Sequence, residues 1–170
     1  MRFLAIDTGE KRIGLATCDV DETFASAHDT RTRTGGRVDA EWLVTLVKAL
    51  GIEGVVVGLP LALDSAKSGD REASARSFAR KLEKALREAG KDIPLFFQDE
   101  RFSTKEALND LRAAGISERA SRDGAGGGVD ARAAAVLLQA FLDKRREDRL
   151  REEKLRTESD SKSTLASSDT

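Results

Sequence analysis

The chain's 170 residues, 39% of them hydrophobic, suffice for one buried core and are short for two full domains. Its 29 basic and 30 acidic residues leave a net charge of -1, so no global positive field draws the protein to nucleic acid or to an anionic membrane, and any polyanion must be gripped locally. A single cysteine, Cys18, and a single histidine, His28, exclude an internal disulfide, a cysteine-based zinc site and a histidine metal cluster, and argue against a Ser-His-Asp triad.

No stretch has the pattern of a secretory signal and no apolar run is long enough to span a bilayer, so a cytoplasmic setting without membrane contact is expected. The first element is Arg2-Phe3-Leu4-Ala5-Ile6-Asp7-Thr8-Gly9, an apolar run that stops on a carboxylate, a hydroxyl and a glycine. Apolar residues on both faces require cover on both faces, which places this strand at the centre of a sheet with Asp7 at its carboxyl edge. A tight reversal at Gly9-Glu10-Lys11 leads to a second strand over Arg12–Cys18, and a polar edge strand is expected from Thr23 to Thr30.

Thr30 to Arg37 reads as a polar basic loop. Trp42, Leu43, Leu46, Val47 and Leu50 then follow helical spacing up to Gly51, a common helix stop. The β-branched run Ile52 to Gly58 is a buried strand parallel to the first. After a loop over 61–69, Ala75, Phe78, Ala79, Leu82, Leu86 and Ala89 mark one helix face; the opposite face, with Arg71, Arg76, Arg80, Lys81, Lys84 and Arg87, reads as solvated surface. Ile93 to Gln98 is the fifth strand, followed by Asp99-Glu100-Arg101. Ser103 and Glu106 have capping-box spacing for a helix reaching Gly115. A glycine-rich loop precedes Val129-Asp130, which opens a helix with Ala133, Ala134, Leu137, Leu138 and Phe141 on its apolar face. Residues 144–170 are charged and then rich in Ser and Thr, and are expected to form a fraying helix followed by disorder.

Hairpins followed by crossovers predict an α/β fold with a mixed five-stranded sheet of order 3-2-1-4-5 and helices on both faces. In that order the first, fourth and fifth strands end on one rim, which collects Asp7 and Glu100, with Asp130 on the adjacent helix. Hydrolysis of a phosphodiester needs an activated water and neutralisation of the attacking and leaving oxygens. Two hard cations about 3.5 to 4 Å apart, held by carboxylates, do both. Lys11, Arg12 and Arg101 are placed to grip phosphates. Each acid also has a plainer role: Asp7 as the cap of its turn, Glu100 in a surface ion pair, and Asp130 as a helix N-cap. Gly9-Glu10-Lys11-Arg12-Ile13-Gly14 is no P-loop, because Leu15-Ala16 stand where Lys and Ser or Thr are required.

Four blocks together resemble the YqgF family of pre-16S ribosomal RNA nucleases and Holliday junction resolvase-like proteins. They are Ala5-Ile6-Asp7-Thr8-Gly9 with Lys11-Arg12-Ile13-Gly14; Val56-Val57-Gly58-Leu59-Pro60-Leu61; Asp99-Glu100-Arg101-Phe102-Ser103-Thr104; and Val129-Asp130 with Ala133-Ala134 and the helix end Phe141-Leu142-Asp143. The resemblance spans residues 1–143 and implies a ribonuclease H-like nuclease domain over that range. It implies a nuclease dependent on Mg2+ or Mn2+, with Asp7, Glu100 and Asp130 as its acids, acting at the 5′ end of pre-16S ribosomal RNA. Structured RNA and ribosomal particles are then the expected partners. Branched DNA is the alternative substrate. A non-catalytic RNA-binding assembly factor and an ATP-handling relative, suggested by Asp7-Thr8-Gly9, are the competing readings.

Overall fold

A computed structural model describes residues 1–60, 66–99 and 128–166. The expected helix after Ser103, the glycine-rich loop up to residue 127, and Glu100 and Arg101 lie outside the described residues. The strands are β1 (Phe3–Thr8), β2 (Arg12–Cys18), β3 (Ala25–Thr32), β4 (Gly54–Leu59) and β5 (Leu95–Asp99). The helices are α1 (Gly36–Leu50), α2 (Ala66–Glu88) and α3 (Val129–Ala166).

The sheet has the expected order, β3-β2-β1-β4-β5. β1 to β3 pair antiparallel, while β1–β4 and β4–β5 pair parallel. Phe3 to Ile6 are fully buried because both faces are covered. Alternation along β1 sends Leu4 and Ile6 to one face, where they meet Leu43 and Val47 of α1 and Phe78 and Leu82 of α2. It sends Phe3 and Ala5 to the other, against Ala134, Leu137, Leu138 and Leu142 of α3. Phe3, Phe96 and Phe141 lock this second layer, with ring centroids 5.3 to 6.0 Å apart.

Several boundaries differ from expectation. β3 runs to Thr32 instead of ending at Thr30, because Ile13 and Arg12 pair with Arg31 and Thr32 and carry the ladder into the expected loop. α1 begins six residues before Trp42: Asp39, fully buried, accepts hydrogen bonds from the Thr34 and Gly35 backbone N–H groups at 3.0 and 3.3 Å and organises the first turn. It ends where predicted, at Gly51 with φ 62°, as Ile52 N–H donates to Val47 O at 3.0 Å. α2 starts at Ala66, ahead of the expected loop end. Its basic face is solvated as expected, with Arg76–Glu72 and Arg87–Glu83 pairs one turn apart.

α3 continues to Ala166, past the point where fraying was expected. Part of this extension is fastened: Arg145 and Arg149 each lie 3.1 Å from buried Glu22, and the Arg145 guanidinium stacks 5.3 Å from the Phe3 ring. No helix among the described residues is long and apolar enough to cross a membrane.

Candidate functional site

The pleat that buries Phe3 and Ala5 against α3 also points Asp7 to that face, at the carboxyl end of β1. Asp7 pairs with Gly14 of β2, and Gly14 pairs with Thr30 of β3, so the three form one row across the sheet. The first turn of α3 lies on that row. A Cβ at Gly14 would fall on the backbone carbonyl of Asp130, so only glycine lets the helix come this close. From the third strand, Thr30 Oγ1 accepts a hydrogen bond from the Ala131 N–H at 3.2 Å.

Asp130 therefore does not cap its helix. The Gly128 carbonyl accepts the Ala131 and Arg132 N–H groups, and the side chain that caps comes from Thr30. This removes the plain structural role that Asp130 had in the sequence. Its Oδ2 is buried and accepts no hydrogen bond. Arg12 Nε lies 2.6 Å from that oxygen, but as a charge contact without hydrogen-bond geometry.

Burial pushes the Asp7 carboxyl up from 3.8 to about 6, and the neighbouring Asp130 charge adds to the effect. Two neighbouring acids at a partly dry rim, one with a buried oxygen that accepts no hydrogen bond from the described residues, have the oxygen chemistry that suits a hard divalent cation. Among the described residues no group of three or more His, Cys, Asp or Glu could hold a metal. The third acid expected from the sequence, Glu100, follows β5 directly and is outside the described residues, as is Arg101.

Lys11, in the β1–β2 turn, and Arg12, which opens β2, are both exposed, and Arg12 reaches Asp130. Arg33 holds that turn: its N–H donates to Lys11 O at 2.9 Å and its Nη1 to Gly9 O at 3.0 Å. Arg33 is itself anchored 3.7 Å from Asp39. Gly14, Thr30, Arg33 and Asp39 were absent from the sequence-derived site. A glycine inside a predicted central strand is a recognisable sign of close backbone approach; the other three give no sign before the fold is known.

A mixed 3-2-1-4-5 sheet covered on both faces, with acids gathered at the carboxyl end of its central strand, defines a ribonuclease H-like protein. The same fold occurs in Thermus thermophilus RuvC in complex with a Holliday junction substrate, which superposes with a TM-score of 0.54 at 18% identity over 86% of this chain and 96% of that one. A model of the family described as "RuvX: Holliday junction resolvase" matches residues 1–144. A Syntrophus aciditrophicus protein named "Putative pre-16S rRNA nuclease" is 41% identical over 143 residues, covering 84% of this chain and 89% of its own length. An Anaeromyxobacter dehalogenans protein of the same name is 43% identical over 145 residues, covering 85% and 98%. The chain belongs to the RuvX family, also called YqgF.

Proposed function

We propose that this protein is a divalent-cation-dependent endonuclease that processes the 5′ end of pre-16S ribosomal RNA. The observation that carries this reading is the pairing of Asp7 with Asp130 on the sheet rim, Asp7 being raised to about 6 and Asp130 keeping a buried oxygen without a donor. The names of its relatives supply the substrate. Asp7 and Asp130, completed by Glu100 from the end of β5, are the residues that would hold Mg2+ or Mn2+. Such ions, when bound, supply an activated water and neutralise charge on the attacking and leaving oxygens.

The chain's own residues do the rest. Asp7 must be ionised to act as a ligand, so proton and cation compete for it: activity falls with pH, from a midpoint near 6 at low cation concentration that moves lower as the cation is raised. Lys11, Arg12 and Arg101 grip the phosphates that flank the cut. The near-neutral overall charge makes this local grip the main source of backbone affinity. On this reading residues 1–143 are the nuclease domain and residues 144–170 an appendage to it.

The test compares wild type with Asp7→Asn on labelled precursor ribosomal RNA and on a four-way DNA junction, with Mg2+, Mn2+ or chelator. Metal-dependent cleavage of the RNA that disappears in the variant is the expected result. Preferential cleavage of the junction would redirect the assignment to a DNA resolvase. Binding without turnover by wild type would identify a non-catalytic assembly factor instead.

A further inference from the structure

The most unusual contact at the rim is that of Arg12 with Asp130. The guanidinium Nε sits 2.6 Å from a buried carboxylate oxygen that accepts no hydrogen bond, while the side chain itself remains largely exposed. An arginine with five donors in a rigid fork normally satisfies a carboxylate by hydrogen bonds, often two at once. Here it supplies charge without them. Among the described residues, removing it would leave Asp7 and Asp130 near each other with no other cation recorded against either.

We propose that Arg12 is a stand-in cation at this rim, neutralising Asp130 while no divalent ion is held and released from it to nucleic-acid phosphate when one is. The inference rests on the metal-dependent reading above and adds a coupling to it. While Arg12 Nε engages Asp130, part of the guanidinium charge is spent on that carboxylate and less is left for a phosphate. Once a divalent ion neutralises the acids, Arg12 is repelled from the site and turns to the polyanion. Nucleic acid, by drawing Arg12 away, in turn opens Asp130 to the ion. The two ligands therefore help each other by the same factor. The start of β2 is suited to such an exchange because its backbone is fixed, by pairing of Arg12 with Thr32 and by Arg33 to Gly9 and Lys11 in the preceding turn, while the Arg12 side chain is largely exposed.

Lys11 is the natural control. It carries the same charge at the neighbouring position and is exposed, so it shares the general electrostatic effect on a bound cation. The decisive experiment measures binding of Mn2+ alone to the complete chain, from the electron paramagnetic resonance signal of free ion, for wild type, Arg12→Ala, Arg12→Lys, Lys11→Ala and Asp7→Asn. Arg12→Ala is expected to bind Mn2+ roughly fivefold more tightly than wild type, with Lys11→Ala changing affinity by less than about twofold and Arg12→Lys lying between. A second arm follows binding of a fluorescent four-way junction in Ca2+ or in chelator. Wild type is expected to gain roughly fivefold in junction affinity from the divalent ion, and Arg12→Ala to lose most of that gain.

Equal Mn2+ affinities for wild type and Arg12→Ala, or an equal gain in Lys11→Ala, would overturn the stand-in role while Asp7-dependent Mn2+ binding still upheld the site. Absence of any Mn2+ binding that Asp7→Asn weakens would overturn the metal reading itself.

Discussion

Two carboxylates mark the two ends of β1, and the fold treats them in opposite ways. Glu22, buried in the turn between β2 and β3, accepts the amino terminus at 3.0 Å and faces Arg145 and Arg149 at 3.1 Å each. Burial alone would raise its pKa, but hydrogen bonds from the amino terminus and Arg145, with the nearby positive charges, hold it below the ordinary value. Asp7, at the other end, is pushed up to about 6 by burial and by the charge of Asp130. Asp39 repeats the first pattern: burial works against its charge, yet Thr34, Gly35 and Arg33 keep its pKa low. The lesson is that burial alone does not distinguish a structural acid from a functional one. Glu22 and Asp39 are supplied with donors and hold elements together, whereas among the described residues no donor offsets the burial of Asp7, which is what the proposed site requires.

The sharpest way to break this contrast is through pH. Asp7 has a raised native pKa, so its contribution favours the folded state below about pH 4 and is lost as the pH rises through about 6. By neutral pH, with chelator present, the loss is on the order of 3 kcal/mol. Asp7→Asn is expected to abolish that dependence, so the variant should be more stable than wild type at pH 7 and lose its advantage near pH 4; urea unfolding across this range measures it. Equal slopes for the two proteins would place Asp7 among the ordinary acids.

Gly14→Ala comes next. Its Cβ would collide with the Asp130 carbonyl, and backbone gives way less readily than a side chain. A loss of about 2 to 3 kcal/mol is expected, together with cleavage reduced more than stability alone explains, because α3 and Asp130 must move away from Asp7. Cleavage by the folded variant at the wild-type rate would show that the close approach is unimportant.

Glu22→Gln tests the other end. Three positive partners would lose their counter-charge, at a cost of about 2 kcal/mol in thermal or urea unfolding, with cleavage by the folded protein unchanged. A specific loss of cleavage would erase the distinction between the two ends. The smallest effect is expected of Thr30→Ala, which removes the cap on Ala131 N–H at about 1 kcal/mol. Thr30→Ser should restore most of it, since the hydroxyl and not the methyl group makes the bond.

Much of the fold was legible because the sheet's period-2 burial and the helical stripes are written in apolar residues. Phe3-Leu4-Ala5-Ile6 announces a strand covered on both sides, and the order 3-2-1-4-5 follows from two hairpins and two crossovers. Two of the boundaries that moved were set by polar contacts at a distance. β3 lengthened because Arg31 and Thr32 pair with Ile13 and Arg12, and α1 began early because Asp39 gathers the Thr34 and Gly35 N–H groups. Asp7 and Asp130 were picked out from strand and helix ends as candidate acids, and the fold brings the two within electrostatic reach of each other. What positions them was not, since Thr30 meets Ala131 across 101 residues of sequence. Glu22 likewise depends on Arg145, 123 residues away.

On the proposed function Asp7 is an acid that awaits a cation, while Glu22 is already satisfied by its neighbours. Carbon-detected NMR of the side-chain carboxyls, titrated with and without Mg2+, addresses both residues in one sample. The expected result is an Asp7 midpoint near 6 that falls when Mg2+ is added, beside a Glu22 midpoint below the ordinary range that does not respond. An Asp7 midpoint at the ordinary value of 3.8, unmoved by Mg2+, would contradict it.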